Sequence, residues 1–227
     1  QLLYGVGDYG TIDKTDSEQT FITGTDPNNY IWYSGKLWRA VSIDPSDNSV
    51  KLVTQWNITT TQYSTATLNT YKNSYTEQWL NDTNTDGFLG NLRDSDNFIK
   101  EGNWNATMTE ETTKPETTTI VSSKVGLLNN YEYATSYKNA TFENGYLNNG
   151  LMFWTITPYD SMSASYINYN GEYKTDSPTG TYGVRPAINL KSTVSIVDGN
   201  GTMDNPYRLK GDNDKQLASV KLSTRYS

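Results

Sequence analysis

The most regular alternation of apolar and polar positions lies in residues 29–56. Three apolar segments are separated there by a Ser34-Gly35 turn and by the turn Asp44-Pro45-Ser46-Asp47. Turn residues between short apolar runs predict a three-stranded antiparallel meander. Because alternate positions of the second and third strands are apolar, we expect one face to be buried while Lys36 and Lys51 stay in solvent.

A second β-rich pattern runs from Met152 to Leu190. It predicts an apolar strand over residues 153–156 that ends at Pro158, where a backbone donor is missing, and a hairpin turn at Asn170-Gly171. The closing segment contains Arg185 between apolar residues, and we expect its five-donor guanidinium to bind nearby carbonyl groups or a carboxylate.

Helix and loop signals are fewer. Ser74 and Glu77 have the spacing of a capping box, which predicts a short helix over residues 74–81. Residues 107–119 lack apolar periodicity and are predicted to form a surface loop.

The C-terminal residues 216–227 alternate like a β-strand, with Leu217, Val220 and Leu222 as candidate assembly residues. One interpretation is a strand that pairs within its own domain, and the other is a strand added to the sheet of a neighbouring subunit. The glycine-rich segment 5–10 is a second candidate for an exchanged arm.

Several motifs carry a family resemblance. The Trp-x-x-Thr-Pro segment at 154–158, the Tyr-Ile-x-x-x-Gly hairpin at 166–171 and the Gly-Val-Arg-Pro-Ala-x-x-Leu closure at 183–190 resemble a domain of secreted bacterial surface proteins that is similar to C-type-lectin-like domains. Upstream segments resemble the same domain, at 77–81 with Phe88-Leu89, and at 125–133.

The resemblance covers roughly residues 30–210 and implies an α+β, mostly β, C-type-lectin-like fold with short helices and long loops, in an extracellular setting at the cell surface. Formylglycine-generating enzymes share a related fold but use cysteines, which this chain lacks, so that activity does not carry over. We expect a single domain over residues 29–210, preceded by an N-terminal arm or edge strand over 1–28 and followed by a C-terminal strand or linker over 211–227.

The amino-acid composition excludes several classes of function. Only 34% of the 227 residues are hydrophobic, but 18 Tyr and 6 Trp can build a core. The net charge of −7 disfavours nucleic acids and anionic membranes as partners, and no apolar run is long enough for membrane insertion. The chain has no Cys and no His, which excludes disulfides, thiolate nucleophiles and the usual general base, so we expect no enzymatic activity.

Calcium is a possible cofactor. Asp82, Asn84 and Asp86 precede Gly87 with the spacing of a calcium-binding loop, but Arg93 stands where the full loop requires a bidentate glutamate. The alternative is a turn in which Asp and Asn side chains bind their own backbone.

Tyrosines in the 155–183 region are candidate ligand-binding residues. Tyr166, Tyr169 and Tyr173 could stack on sugar rings, and the alternative is ordinary cross-strand aromatic packing. The sequence therefore favours a structural subunit of a surface filament or array, a homopolymer assembled by strand exchange. The second hypothesis is an adhesin module that binds a glycan or a surface receptor.

Overall fold

The computed structural model describes residues 2–65 and 70–212. Within these ranges the helices are α1 (Tyr75–Asn81), α2 (Ser95–Phe98) and α3 (Asn130–Ser136), and a single 3-10 turn covers Leu89–Asn91. The strands are β1 (Gly10–Asp13), β2 (Thr20–Gly24), β3 (Tyr30–Tyr33), β4 (Lys36–Ile43), β5 (Val50–Thr54), β6 (Thr59–Gln62), β7 (Ile99–Lys100), β8 (Gly102–Asn105), β9 (Ile120–Ser123), β10 (Val125–Gly126), β11 (Phe153–Asp160), β12 (Ser163–Ile167), β13 (Tyr173–Asp176), β14 (Thr181–Val184), β15 (Ala187–Leu190), β16 (Ile196–Asp198) and β17 (Tyr207–Leu209). The fold is α+β and mostly β, as the sequence predicts.

The predicted meander is confirmed as β3, β4 and β5. Ser34 and Gly35 both have positive φ, of 53° and 71°, and connect directly paired residues at the ends of β3 and β4. Such a two-residue turn matches the twist of the strands that it joins. The meander is the centre of the larger sheet, whose strand order is β10-β15-β5-β4-β3-β17-β16, with β7 also on β15 and with β2 on β4.

The N-terminal residues belong to this sheet. Strand β1 pairs with β2 along its whole length, and β2 in turn pairs with β4. Leu2 is buried in the core. Of the two alternatives expected for residues 1–28, the structure therefore contains the edge strand.

The expectation that Lys36 and Lys51 stay in solvent is wrong. A register shift between Ala40 and Ser42 reverses the parity of β4, and the strand is buried on both faces over this stretch. The Lys51 side chain is only 16% exposed and pairs with Glu132 of α3. Lys36 is partly buried, and burial lowers its pKa.

The second sheet has the order β13-β12-β11-β14-β6. The prediction that its apolar strand ends at Pro158 is wrong, because β11 continues to Asp160. The missing donor of the proline instead disturbs the pairing with β12, whose register shifts on both sides of Pro158. The hairpin turn is confirmed between β12 and β13, where Gly171 has a φ of 89°.

The remaining local predictions concern a helix, a loop and Arg185. Helix α1 is confirmed and begins directly after Ser74, whose hydroxyl oxygen accepts a hydrogen bond from the Glu77 N–H. The second bond of the predicted capping box does not form, because the Ser74 N–H donates to the Tyr71 carbonyl oxygen. Residues 107–119 form a loop without helix or strand. Arg185 is buried and donates to the carbonyl oxygens of Thr54, at 2.6 Å, and Leu147.

No helix within residues 2–65 and 70–212 combines the length and the apolar character needed to cross a membrane.

Candidate functional site

The predicted calcium residues lie in the loop after α1. Asp82 Oδ1 accepts a hydrogen bond from the Asn84 N–H at 2.9 Å, and the Asp86 carbonyl accepts one from the Trp79 indole at 3.0 Å. The first bond is the side-chain-to-backbone turn that the sequence offered as the alternative. In the described part of the chain no three His, Cys, Asp or Glu residues group closely enough to hold a metal ion. Calcium binding stays a prediction.

The three candidate tyrosines do not form one surface. Ile167 pairs with Tyr173, so Tyr173 and Tyr166 project from opposite faces of the second sheet. Tyr166 stacks on Tyr182 with ring centroids 3.9 Å apart, which is the cross-strand packing of the alternative hypothesis. Tyr169 is 65% exposed at the hairpin tip. The assembly residues Leu217, Val220 and Leu222 lie outside the described residues.

A cluster of polar side chains lies elsewhere, in a cleft over the larger sheet. Two adjoining cavities of about 250 and 410 Å³ share the lining residues Glu18, Gln19, Lys51 and Asn103. We call this region the Lys51 cleft. Its walls come from the β1–β2 loop, the β8–β9 hairpin, the loop at 114–117 and the start of α3.

The floor of the Lys51 cleft is a row of polar residues across four strands. Ser42 of β4 pairs with Lys51 of β5, Lys51 pairs with Asn189 of β15, and Asn189 pairs with Lys100 of β7. Directly paired residues in neighbouring strands project from the same face, so all four side chains point into the cleft. The smaller cavity is lined by all four.

Helix α3 supplies a buried carboxylate to one wall. Asn129 and Glu132 form a complete capping box, in which each side chain accepts from the backbone N–H of the other. This box leaves Glu132 Oε2 free to accept from Lys51 Nζ at 2.5 Å, while the Glu132 side chain is only 3% exposed. Lys51 Nζ also lies 5.0 Å from the ring centre of Trp104.

A second ionic cluster closes the other wall. Lys114 Nζ contacts Asp16 Oδ1 at 2.9 Å and Glu18 Oε1 at 3.1 Å, and the Tyr131 hydroxyl donates to Asp16 Oδ2 at 2.7 Å. Burial alone would raise the pKa of the Asp16 carboxyl, but the hydrogen bonds from Lys114, the Glu18 N–H and Tyr131 outweigh it and lower the pKa. Asp16 therefore stays ionised at neutral pH.

The lysines of the Lys51 cleft are thus paired with carboxylates of the protein. Lys51 pairs with Glu132, Lys114 with Asp16 and Glu18, and Lys100 with Asp47, whose pKa falls to about 2 chiefly because Lys100 hydrogen-bonds to it. The uncharged amide side chains of the cleft make fewer hydrogen bonds within the protein. Gln19 accepts from Ser42 and Asn103 accepts from Ser122, and within the described residues neither amide NH₂ group has a protein acceptor, so both can donate to a ligand.

Sequence reasoning missed this cleft. The spacing of Asn129 and Glu132 is the same capping signal that predicts α1. The sequence could therefore have predicted that Glu132 turns back toward the start of α3. The pairing of Lys51 with Asn189 could not, because it joins strands far apart in sequence.

Residues 48–192, more than half of the chain, match the family described as Domain of unknown function (DUF6273). Comparisons with curated proteins and with solved structures found no match for the chain.

Proposed function

The chain belongs to the DUF6273 family, and we propose that it is a non-enzymatic extracellular module that binds carbohydrate in the Lys51 cleft. The observation that carries this proposal is the polar floor of the cleft beneath walls that present amide groups. Sugar hydroxyls both donate and accept hydrogen bonds, and amides match them in both roles.

The internal ion pairs favour a neutral ligand. Each lysine that lines the cleft already has a carboxylate partner, so a charged ligand would have to displace an existing ion pair. A neutral oligosaccharide needs no such exchange. The exposed Ile120 at the edge of the larger cavity offers an apolar contact to the face of a sugar ring.

The carboxyl groups support a role in binding rather than in hydrolysis. A glycosidase acid needs a raised carboxyl pKa. In this chain Asp13, Asp16, Asp47, Asp96, Asp160 and Asp198 all have lowered pKa values, each held by hydrogen bonds to the ionised form. The extracellular setting rests on the motif resemblance.

Binding of neutral oligosaccharides, measured on a glycan array and then by calorimetry, tests the proposal. We expect Asn103→Ala to weaken binding about tenfold, because one hydrogen-bonding amide at the cleft is lost. The matched control is Tyr169→Ala at the exposed hairpin tip, which should bind like the wild type. The reverse result would place the site at the hairpin tip that carries Tyr169, and absence of any glycan binding would contradict the proposal.

A second candidate function, a homopolymeric surface subunit assembled by strand exchange, is favoured by the edge of the smaller sheet. Among the described residues β6 pairs only with β14. A cavity of about 490 Å³ beside it is lined by Ile58, Leu151 and Met152, which are all exposed. An open edge next to apolar side chains could accept an added strand. Electron microscopy of the purified protein tests this candidate, since ordered filaments are expected only if subunits assemble.

A further inference from the structure

Three groups of complementary chemistry meet at the floor of the Lys51 cleft. Lys51 and Asn189 are directly paired across β5 and β15, which places their Cβ atoms about 5 Å apart on the same face. Lys51 Nζ lies 2.5 Å from Glu132 Oε2. An amine, a carboxamide and a carboxylate are therefore adjacent.

The surroundings exclude most water from Lys51 and Glu132. The side chains of Lys51 and Glu132 are 16% and 3% exposed. A Cβ built on Gly102 would lie 2.5 Å from Asn189 Nδ2 and 3.1 Å from Trp104 Nε1, so the Asn189 amide lies beside the same indole whose ring Lys51 Nζ approaches. Asn189 also lines the smaller cavity, so its carboxamide faces the cleft beside Lys51.

We propose that Lys51 and Asn189 become joined by an intramolecular isopeptide bond, with Glu132 as the residue that transfers the proton. The proposal concerns the floor of the same cleft, but its test by mass does not depend on carbohydrate binding. The chain has no cysteine, so an amide cross-link between β5 and β15 would supply the covalent tie that disulfides give to other extracellular proteins.

The reaction needs no external reagent. Glu132 Oε2 takes a proton from the Lys51 ammonium group across their hydrogen bond. The Lys51 amine then attacks Asn189 Cγ, and a bond forms between Nζ and Cγ. The Cγ–Nδ2 bond breaks when Nδ2 receives a proton, and ammonia leaves and carries off the remaining proton as ammonium. Glu132 ends as a carboxylate, and the chain loses the mass of one ammonia.

Lys100 provides an internal comparison. It also pairs directly with Asn189, from the opposite side across β7. Its carboxylate partner Asp47 is 38% exposed, and the Lys100 side chain is 41% exposed. Hydrogen bonds from Lys100 and Ser49 lower the pKa of Asp47 to about 2, so Asp47 is a poor proton acceptor and Lys100 should not react.

Mass spectrometry of the denatured protein, after incubation of the folded protein at neutral pH, tests the proposal. We expect the wild type to be lighter than its sequence by one ammonia, and its proteolytic digest to contain the Lys51 peptide linked to the Asn189 peptide. Lys51→Arg and Glu132→Gln should have their full masses, and the matched control Lys100→Arg should still be linked. Circular dichroism identifies any variant that fails to fold.

The linked peptide pair is the deciding observation, because an asparaginyl succinimide also releases ammonia. Unlinked Lys51 and Asn189 peptides in the wild type would overturn the proposal, and so would a link that contains Lys100. A link that persists in folded Glu132→Gln would overturn the role of Glu132.

Discussion

At the residue scale, two arginines are buried in the core. Arg39 and Arg185 are each 2% exposed. Arg39 has an Asp26 partner, whereas Arg185 is held by two carbonyl oxygens and by Phe153, whose ring centre lies 4.9 Å from its guanidinium carbon. Burial lowers the pKa of Arg185 to about 9. The planar fork of arginine suits this position because it reaches carbonyls in two different segments.

We therefore predict that Arg185→Lys lowers the free energy of unfolding by about 2 kcal/mol, because an ammonium group cannot span the carbonyl oxygens of Thr54 and Leu147. Urea unfolding followed by tryptophan fluorescence measures the loss. The control is Arg208→Lys, which changes an exposed pair with Asp198 and should have a much smaller effect. Equal losses in the two variants would contradict the prediction.

At the scale of elements, we expect deletions at the two ends of the chain to have different effects. Deletion of residues 1–12 removes most of β1 and the buried Leu2, so it should lower the melting temperature of the monomer. Deletion of residues 216–227 should leave a folded monomer that cannot polymerise if this segment is a donated strand. Calorimetry and electron microscopy of both truncations provide the measurements. Normal assembly of both truncated proteins would contradict the hypothesis that a terminal strand is exchanged between subunits.

The loop after α1 gives a second prediction at this scale. If Asp82 and Asp86 hold calcium, chelation should lower the melting temperature, because bound metal stabilises the folded state by mass action. The matched variant Asp86→Ala should then melt alike with calcium and with chelator. If the wild type melts at the same temperature under both conditions, the calcium hypothesis is contradicted. The loop would then be only the turn that Asp82 forms with Asn84.

At the scale of the whole molecule, the core combines aliphatic side chains with buried tyrosines and tryptophans. Five tyrosines deep in the core have pKa values raised, chiefly by burial: Tyr33, Tyr63, Tyr71, Tyr133 and Tyr146. Their hydroxyls stay protonated in the folded state at pH values where they would ionise in the unfolded chain.

This predicts alkaline unfolding. A raised folded-state pKa contributes stability that is complete below the unfolded value of about 10 and is lost as the pH rises above it. Arg185, Arg39 and Lys36 act in the opposite direction, since burial lowers their folded-state pKa values, but the five tyrosines outnumber them. Tyrosinate absorbance should rise together with the loss of near-ultraviolet circular dichroism. Ionisation of all tyrosines while the fold persists would contradict the prediction.

Much of the fold could be predicted because its signals are local. The Ser34-Gly35 turn, the Ser74 cap and the Asn170-Gly171 hairpin each depend on backbone preferences within a few residues. The absence of His and Cys is likewise a property of composition alone. These features determined the mostly β class, the meander and the limits on chemistry.

Only the tertiary structure determines which residues form the Lys51 cleft. Lys51, Glu132 and Asn189 come from three distant segments, and their meeting depends on which strands pair and in which register. Pro158 is a second example of a feature that local sequence patterns do not determine. Its missing N–H donor predicts the end of a strand, but β11 continues because its pairing with β12 tolerates the missing donor. Periodicity indicates which side chains share a face of one strand, but only strand order and helix packing determine which faces meet.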